Sequence, residues 1–142
     1  MHEVDKPEHL NTSSLVWFNY FFKPGFSEEE LSSGGSWVDV RDVAKANVIA
    51  LEKEAAANER IVVSSSSVAN QEFIESAKRA ATSLGITGVQ TGIPNYDPAK
   101  AKLHSRFSEV KRDRILGIDM IPLDDSVRDT IANFKERGWV HA

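Results

Sequence analysis

The chain has 142 residues, a net charge of -4, 41% apolar residues and no cysteine. That length suits one domain, and the apolar fraction argues against a disordered chain. The absence of cysteine excludes a disulfide scaffold, thiolate metal sites and a Cys nucleophile, and fits a cytoplasmic protein.

The acidic balance, without any long lysine or arginine run, leaves nothing to neutralise a phosphate backbone, so nucleic acid is not an expected partner. The longest apolar run is too short for a bilayer, and the start Met1-His2-Glu3-Val4-Asp5 lacks the pattern of a signal peptide.

Along the chain, His9 to Ser14 offers several N-cap oxygens ahead of Leu15, Val16, Trp17, Phe18, Phe21 and Phe22, and Pro24-Gly25 stops the run. The pattern predicts a helix from about Thr12 to Phe22, wedged between elements or against a ligand because its aromatic load exceeds what one amphipathic face needs. Trp37 to Val40 reads as a short strand. Asp39 and Asp42 then have the form of a capping box, with both anions at the positive end of a helix dipole.

The helix that follows is expected to run to about Ala57 and to turn Val43, Ala44, Val48, Leu51 and Ala55 inward. Arg60 to Ser64 is the best strand candidate, since its β-branched run shows no alternation, as in a parallel sheet covered on both faces. A serine-rich turn leads to a helix over Gln71–Leu84, with Phe73, Ile74, Ala77, Ala80, Ala81 and Leu84 inward and Gly85 as its stop. No capping side chain stands at Ala69, so the cap either moves to Ser67 or Asn70 or costs about 1 kcal/mol.

Residues 86–106 read as surface loop. A short helix at Arg112–Leu116 and an extended stretch at Ile118–Leu123 precede a last amphipathic helix, Asp124–Arg137, whose inward residues are Leu123, Val127, Ile131 and Phe134. No linker divides the chain.

In the order WVDVRDVAKANVIALEKE, RIVVSS, RILGI and PLDDSVRDTIANFKERGW, the chain resembles the C-terminal half of an extended short-chain dehydrogenase/reductase. Within that superfamily of NAD-dependent epimerases and dehydratases it is similar to the NADPH-dependent carbonyl reductases grouped with methylglyoxal, dihydroflavonol and cinnamoyl-CoA reductases. The resemblance implies an α/β fold: the helix-rich substrate-binding portion of a Rossmann-type enzyme, with a few short strands and without the nucleotide-binding half. It implies NADPH as cofactor and a small carbonyl compound as substrate. Two alternatives stand beside that reading: a truncated non-catalytic binding module that self-associates through an exposed sheet edge at Ile61, Val62 and Val63, or one half of a split reductase whose partner chain is the nucleotide-binding half.

The family's Gly-x-x-Gly-x-x-Gly turn, catalytic Ser and Tyr-x-x-x-Lys pair all precede the matched segment, so no catalytic residue is assigned. Gly85, Gly88 and Gly92 follow a helix with the wrong spacing for a dinucleotide loop. Tyr96 and Lys100 match Tyr-x-x-x-Lys literally, but Pro98 stands between them.

By the same resemblance Ser13, in HLNTS, is the cofactor-binding candidate; its other reading is a plain helix cap. Trp17, Phe18 and Phe21 are the substrate-binding candidates, against a reading as core. Arg41 reads as a structural partner of a carboxylate. His2, His9, His104 and His141 are too dispersed for a metal site.

Overall fold

The computed structural model describes residues 4–141. Six helices, α1 (Thr12–Phe22), α2 (Glu28–Ser32), α3 (Val40–Glu52), α4 (Asn70–Leu84), α5 (Val110–Ile115) and α6 (Leu123–Glu136), surround a small sheet of β1 (Ser33–Trp37), β2 (Ser66–Ala69) and β3 (Lys102–Leu103). The strand order is β2-β1-β3, with β2 antiparallel and β3 parallel to β1. Among the described residues no helix is long and apolar enough to cross a membrane.

The main core lies between α1, α4 and α6. Phe18, Phe21, Phe73, Ala77, Ile131 and Phe134 pack there, and Ile131 and Phe134 are wholly buried. Alanines along α4 let α6 approach closely, and Phe18 meets the edge of Phe134 at 5.2 Å between ring centroids. The pattern of α4 and α6 thus reads through from sequence to packing. A second cluster joins Ala46 of α3 to Ile115, Leu116 and Ile118, with Ile61 and Val63 against it.

Strand assignments differ from expectation. β1 starts four residues before Trp37 and contains Gly34-Gly35, a pair with little strand propensity. The reason lies in its neighbour: a Cβ on Gly34 would run into the backbone of Val68 and Ala69, so only glycine permits this register. Residues 60–64 form no strand; Ile61 and Val63 face the second cluster, and residues 60–63 enter no backbone ladder among the described residues. β-Branched propensity alone does not make a strand where no neighbouring strand supplies partners. Ile118 to Pro122 is likewise outside any strand.

The α3 face is also corrected. The helix ends at Glu52, and its buried side carries Asp42 and Ala46, while Val48 is 56% and Leu51 90% exposed. The capping box is half formed: Asp39 caps Arg41 N–H, whereas Asp42 accepts a hydrogen bond from Ile121 N–H at 2.9 Å and so ties α3 to the segment before α6.

At α4 the N-cap stays at Ala69; Glu72 accepts from its N–H at 2.8 Å, which satisfies one donor of the first turn without a capping hydroxyl. The serines of the turn instead bind the sheet, Ser36 to Ser67 at 2.9 Å and the Trp37 indole N–H to Ser66 at 2.8 Å. Two elements complete the list: β3, inside the expected surface loop, and α2, in a stretch for which the sequence pattern predicts no element. Ser27 and Glu30 close a full capping box over α2.

Candidate functional site

A cavity of about 700 Å3 opens between α1, the end of β1 and α6. One wall is aromatic: Trp17 and Phe21 from α1, Trp37 from β1 and Phe73 from α4. Trp17 lies 3.9 Å from Phe73 between ring centroids, and Trp37 meets Phe73 edge-on at 5.9 Å. Successive helical turns place Trp17 and Phe21 on the same face, because residues four apart stack one above the other.

The opposite wall is polar. Asp39 and Arg41 stand at the start of α3, and Ser126, Asp129, Thr130 and Asn133 follow one side of α6. Arg41 grips Asp39 through Nε at 3.0 Å and Nη2 at 2.9 Å, and reaches across to Asp129 through Nη1 at 2.8 Å. This fork joins α3 to α6 and braces the polar wall of the cavity.

The Arg41 guanidinium holds the Asp39 carboxyl well below its ordinary value, at about 2, against an opposing push from burial. Asp129 is lowered by the same guanidinium, and Arg41 is raised in turn. Both carboxylates are therefore ionised at neutral pH. Arg128 also pairs with Asp129, at 3.2 Å, so the two carboxylates are held by two guanidinium groups.

The four candidate residues separate in space. Ser13, Trp17 and Phe21 line the cavity; Phe18 points away from it into the core against Phe22 and Phe134. Ser13 is exposed at the rim, and its hydroxyl donates to Asn11 Oδ1 at 3.2 Å. Asn11 is the N-cap of α1, accepting from Ser14 N–H at 2.9 Å, so Ser13 does not cap the helix itself.

Sequence reasoning missed the α6 contribution. Its signal was present, since Ser126, Thr130 and Asn133 are uncharged polar residues at helical spacing within an otherwise charged face.

Tyr96 and Lys100 sit in a loop around the short 3-10 turn Pro98–Lys100, not on one helix face. Burial raises the Tyr96 pKa, followed by the charges of Glu72 and Asp97; a catalytic lysine neighbour would lower it. Gly85 ends α4 in the left-handed region, and a Cβ on Gly92 would strike the side chain of Gln71. Neither feature makes a phosphate cradle. Among the described residues no group of three or more His, Asp or Glu is placed to hold a metal ion; His2 lies outside them.

In fold and sequence the chain is similar to reductases of the short-chain dehydrogenase/reductase class. Its matches are, in particular, NADPH-dependent methylglyoxal reductases. The crystal structure of Gre2 from Candida albicans aligns with a TM-score of 0.76 at 30% identity, covering 96% of this chain and 40% of that one. A structure of Gre2 in complex with NADPH from the same organism aligns at 0.75 and 32% identity, over 95% and 39%.

Among curated proteins, the putative NADPH-dependent methylglyoxal reductase GRP2 of Candida albicans is 28% identical over 135 residues, 92% of this chain and 38% of the relative. The NADPH-dependent methylglyoxal reductase GRE2 of Saccharomyces cerevisiae is 28% identical over 131 residues. The chain thus spans about two fifths of the length of the relatives it matches. No protein-family profile matches it.

Proposed function

We propose that this chain is the substrate-binding region of an NADPH-dependent reductase that converts small aldehydes or ketones to alcohols. The observation that carries the reading is the cavity, in which an aromatic wall of Trp17, Phe21, Trp37 and Phe73 faces polar groups of α6. Such a wall takes up the apolar part of a carbonyl compound, and the hydroxyls and amide opposite it orient the oxygen.

The residues fit one edge of NADPH and not all of it. Ser13 and its neighbour Ser14 offer hydroxyls at the rim for a cofactor amide or ribose, but Asp39 and Asp129 hold Arg41 away from a phosphate, and among the described residues no glycine-rich helix start lines the cavity. Bound NADPH would supply hydride to the carbonyl carbon. The chain's own residues bind and orient; none is assigned to proton transfer. The reading therefore includes a nucleotide-binding half from elsewhere, with the backbone of residues 60–63 as its docking edge, and a cytoplasmic setting.

The test uses the chain alone. Isovaleraldehyde, a substrate named for the yeast relative, is titrated while tryptophan fluorescence is followed, since Trp17 and Trp37 stand in the wall. Saturable quenching that Trp17→Leu removes supports the reading, as does the absence of NADPH oxidation by the isolated chain. Turnover of NADPH with the aldehyde would overturn the non-catalytic part. Absence of any binding would overturn the substrate-binding part.

A further inference from the structure

Gln71 is wholly buried, although its side chain ends in an amide. Both ends of that amide are used. Its oxygen accepts from Ile93 N–H at 2.9 Å, and its nitrogen donates to Glu75 Oε1 at 2.7 Å. Gly92 lies flat on the same side chain, where any Cβ would collide with it. A buried amide stabilises the fold only while its bonds are made, so this one works as a joint between α4 and residues 92–93.

Those residues belong to a strap, 90–93, that passes from the end of α1 to the start of α4. At the α1 end, Gln90 N–H donates to Phe21 O at 2.9 Å, and the Gln90 side-chain amide donates to Tyr20 O. Both carbonyls lie in the last turn of α1, where the helix itself supplies no donor. Away from α1, Thr91, Gly92, Ile93 and Pro94 line a second cavity, of about 680 Å3, together with the charged face of α4. Two glutamines therefore fasten the strap, Gln90 to α1 and Gln71 to α4.

The helices joined in this way carry the aromatic wall. Phe21 supplies one of the fastened carbonyls, and Phe73 stands two residues beyond Gln71 and carries Trp17 at 3.9 Å. Gln71 itself lines neither cavity, so whatever it does to the wall it does through the strap.

We infer that Gln71 is a positioning residue of the cavity. Through the strap it sets the spacing between Phe21 and Phe73. With that spacing it sets the size of carbonyl compound that the wall admits, a consequence that rests on the substrate-binding reading above.

The test compares the chain with three variants, each checked for folding by circular dichroism. Gln71→Glu keeps the shape of the side chain but sets a second carboxylate against Glu75, which drives the joint apart. Gln71→Met, of similar volume, makes neither bond and serves in its place should Gln71→Glu not fold. Gln71→Glu combined with Glu75→Gln exchanges donor and acceptor and so remakes the joint.

Two readouts need no ligand. Hydrogen exchange of the Gln90 amide should quicken roughly tenfold in the single variants, the scale of one lost hydrogen bond. The Trp17 indole N–H signal should shift in a two-dimensional NMR spectrum, while that of Trp139, which lines neither cavity, stays in place. The double variant should bring exchange back to within about threefold, because the coupled pair is restored. A third readout is the ratio of affinities for isovaleraldehyde and the smaller acetaldehyde, expected to change roughly tenfold in the single variants.

Unchanged Gln90 exchange and Trp17 signal in both single variants would overturn the inference. So would a shift at Trp139 equal to that at Trp17, or a double variant that fails to recover. A loosened strap with an unchanged affinity ratio would overturn the size selection. If the wild-type chain binds no aldehyde, the substrate-binding reading fails, and exchange and NMR still decide the positioning.

Discussion

Replacing Asp39 by Asn removes the anion that anchors Arg41 while keeping the size of the side chain. Asp39 is 6% exposed and takes two bonds from the guanidinium and one from the Arg41 amide. Its folded-state value of about 2 lies below the ordinary 3.8. By proton linkage that gap is worth on the order of 2 kcal/mol of stability at neutral pH. A carboxyl depressed by folding stabilises the native state above its ordinary value, and the contribution fades as pH falls through the folded value. Urea denaturation of both proteins is therefore expected to show Asp39→Asn less stable by about 2 kcal/mol at pH 7, with the difference shrinking between pH 5 and pH 2. The comparison cancels the titration of the other carboxylates. A difference below about 0.5 kcal/mol at pH 7, the ordinary scatter of a surface change, or one that is the same at pH 7 and pH 2, would refute the fork as a stabilising element.

Phe134→Ala, which empties a wholly buried site at the centre of α4 and α6, should cost about 3 to 5 kcal/mol in the same assay. Gly34→Ala forces a methyl group into the backbone of β2 and should cost about 1 to 3 kcal/mol, read as a lowered urea midpoint. Phe18→Leu is expected to lower stability without altering aldehyde binding by fluorescence, whereas Phe21→Leu weakens binding, because only Phe21 of the two lines the cavity. Hydrogen exchange should find the amides of residues 61–63 unprotected beside slow amides in α4, since the former have no backbone partner among the described residues.

The helices were legible where one chain segment supplies its own signal. The α1 boundaries follow from Asn11 ahead of an aromatic run, and α4 and α6 follow from apolar residues at three- and four-residue spacing. A strand depends on its neighbours, and there the sequence misleads. Gly34-Gly35 pairs because β2 passes close by, and Ile61 to Val63 does not pair despite higher propensity.

The inward face of α3 was misread for a related reason. Periodicity shows that Val48 and Leu51 share a face, but not whether the chain itself covers that face. At the cavity, the aromatic residues announced themselves, while the Arg41–Asp129 bridge joins positions 88 residues apart and has no local trace.

The sheet has an unusual adhesive. Ser36 binds Ser67 and Ser105, Ser66 takes the Trp37 indole, and Ser33 binds His104 at 2.7 Å, so hydroxyls bind together what apolar side chains bind elsewhere in the molecule. Exposing apolar surface raises heat capacity and exposing polar surface lowers it. The curvature of stability with temperature therefore belongs to the packing of α1, α4 and α6, and the sheet contributes mainly enthalpy. On cooling below the temperature of maximum stability, the aromatic core is the part that weakens, and the serine seam is the part that holds.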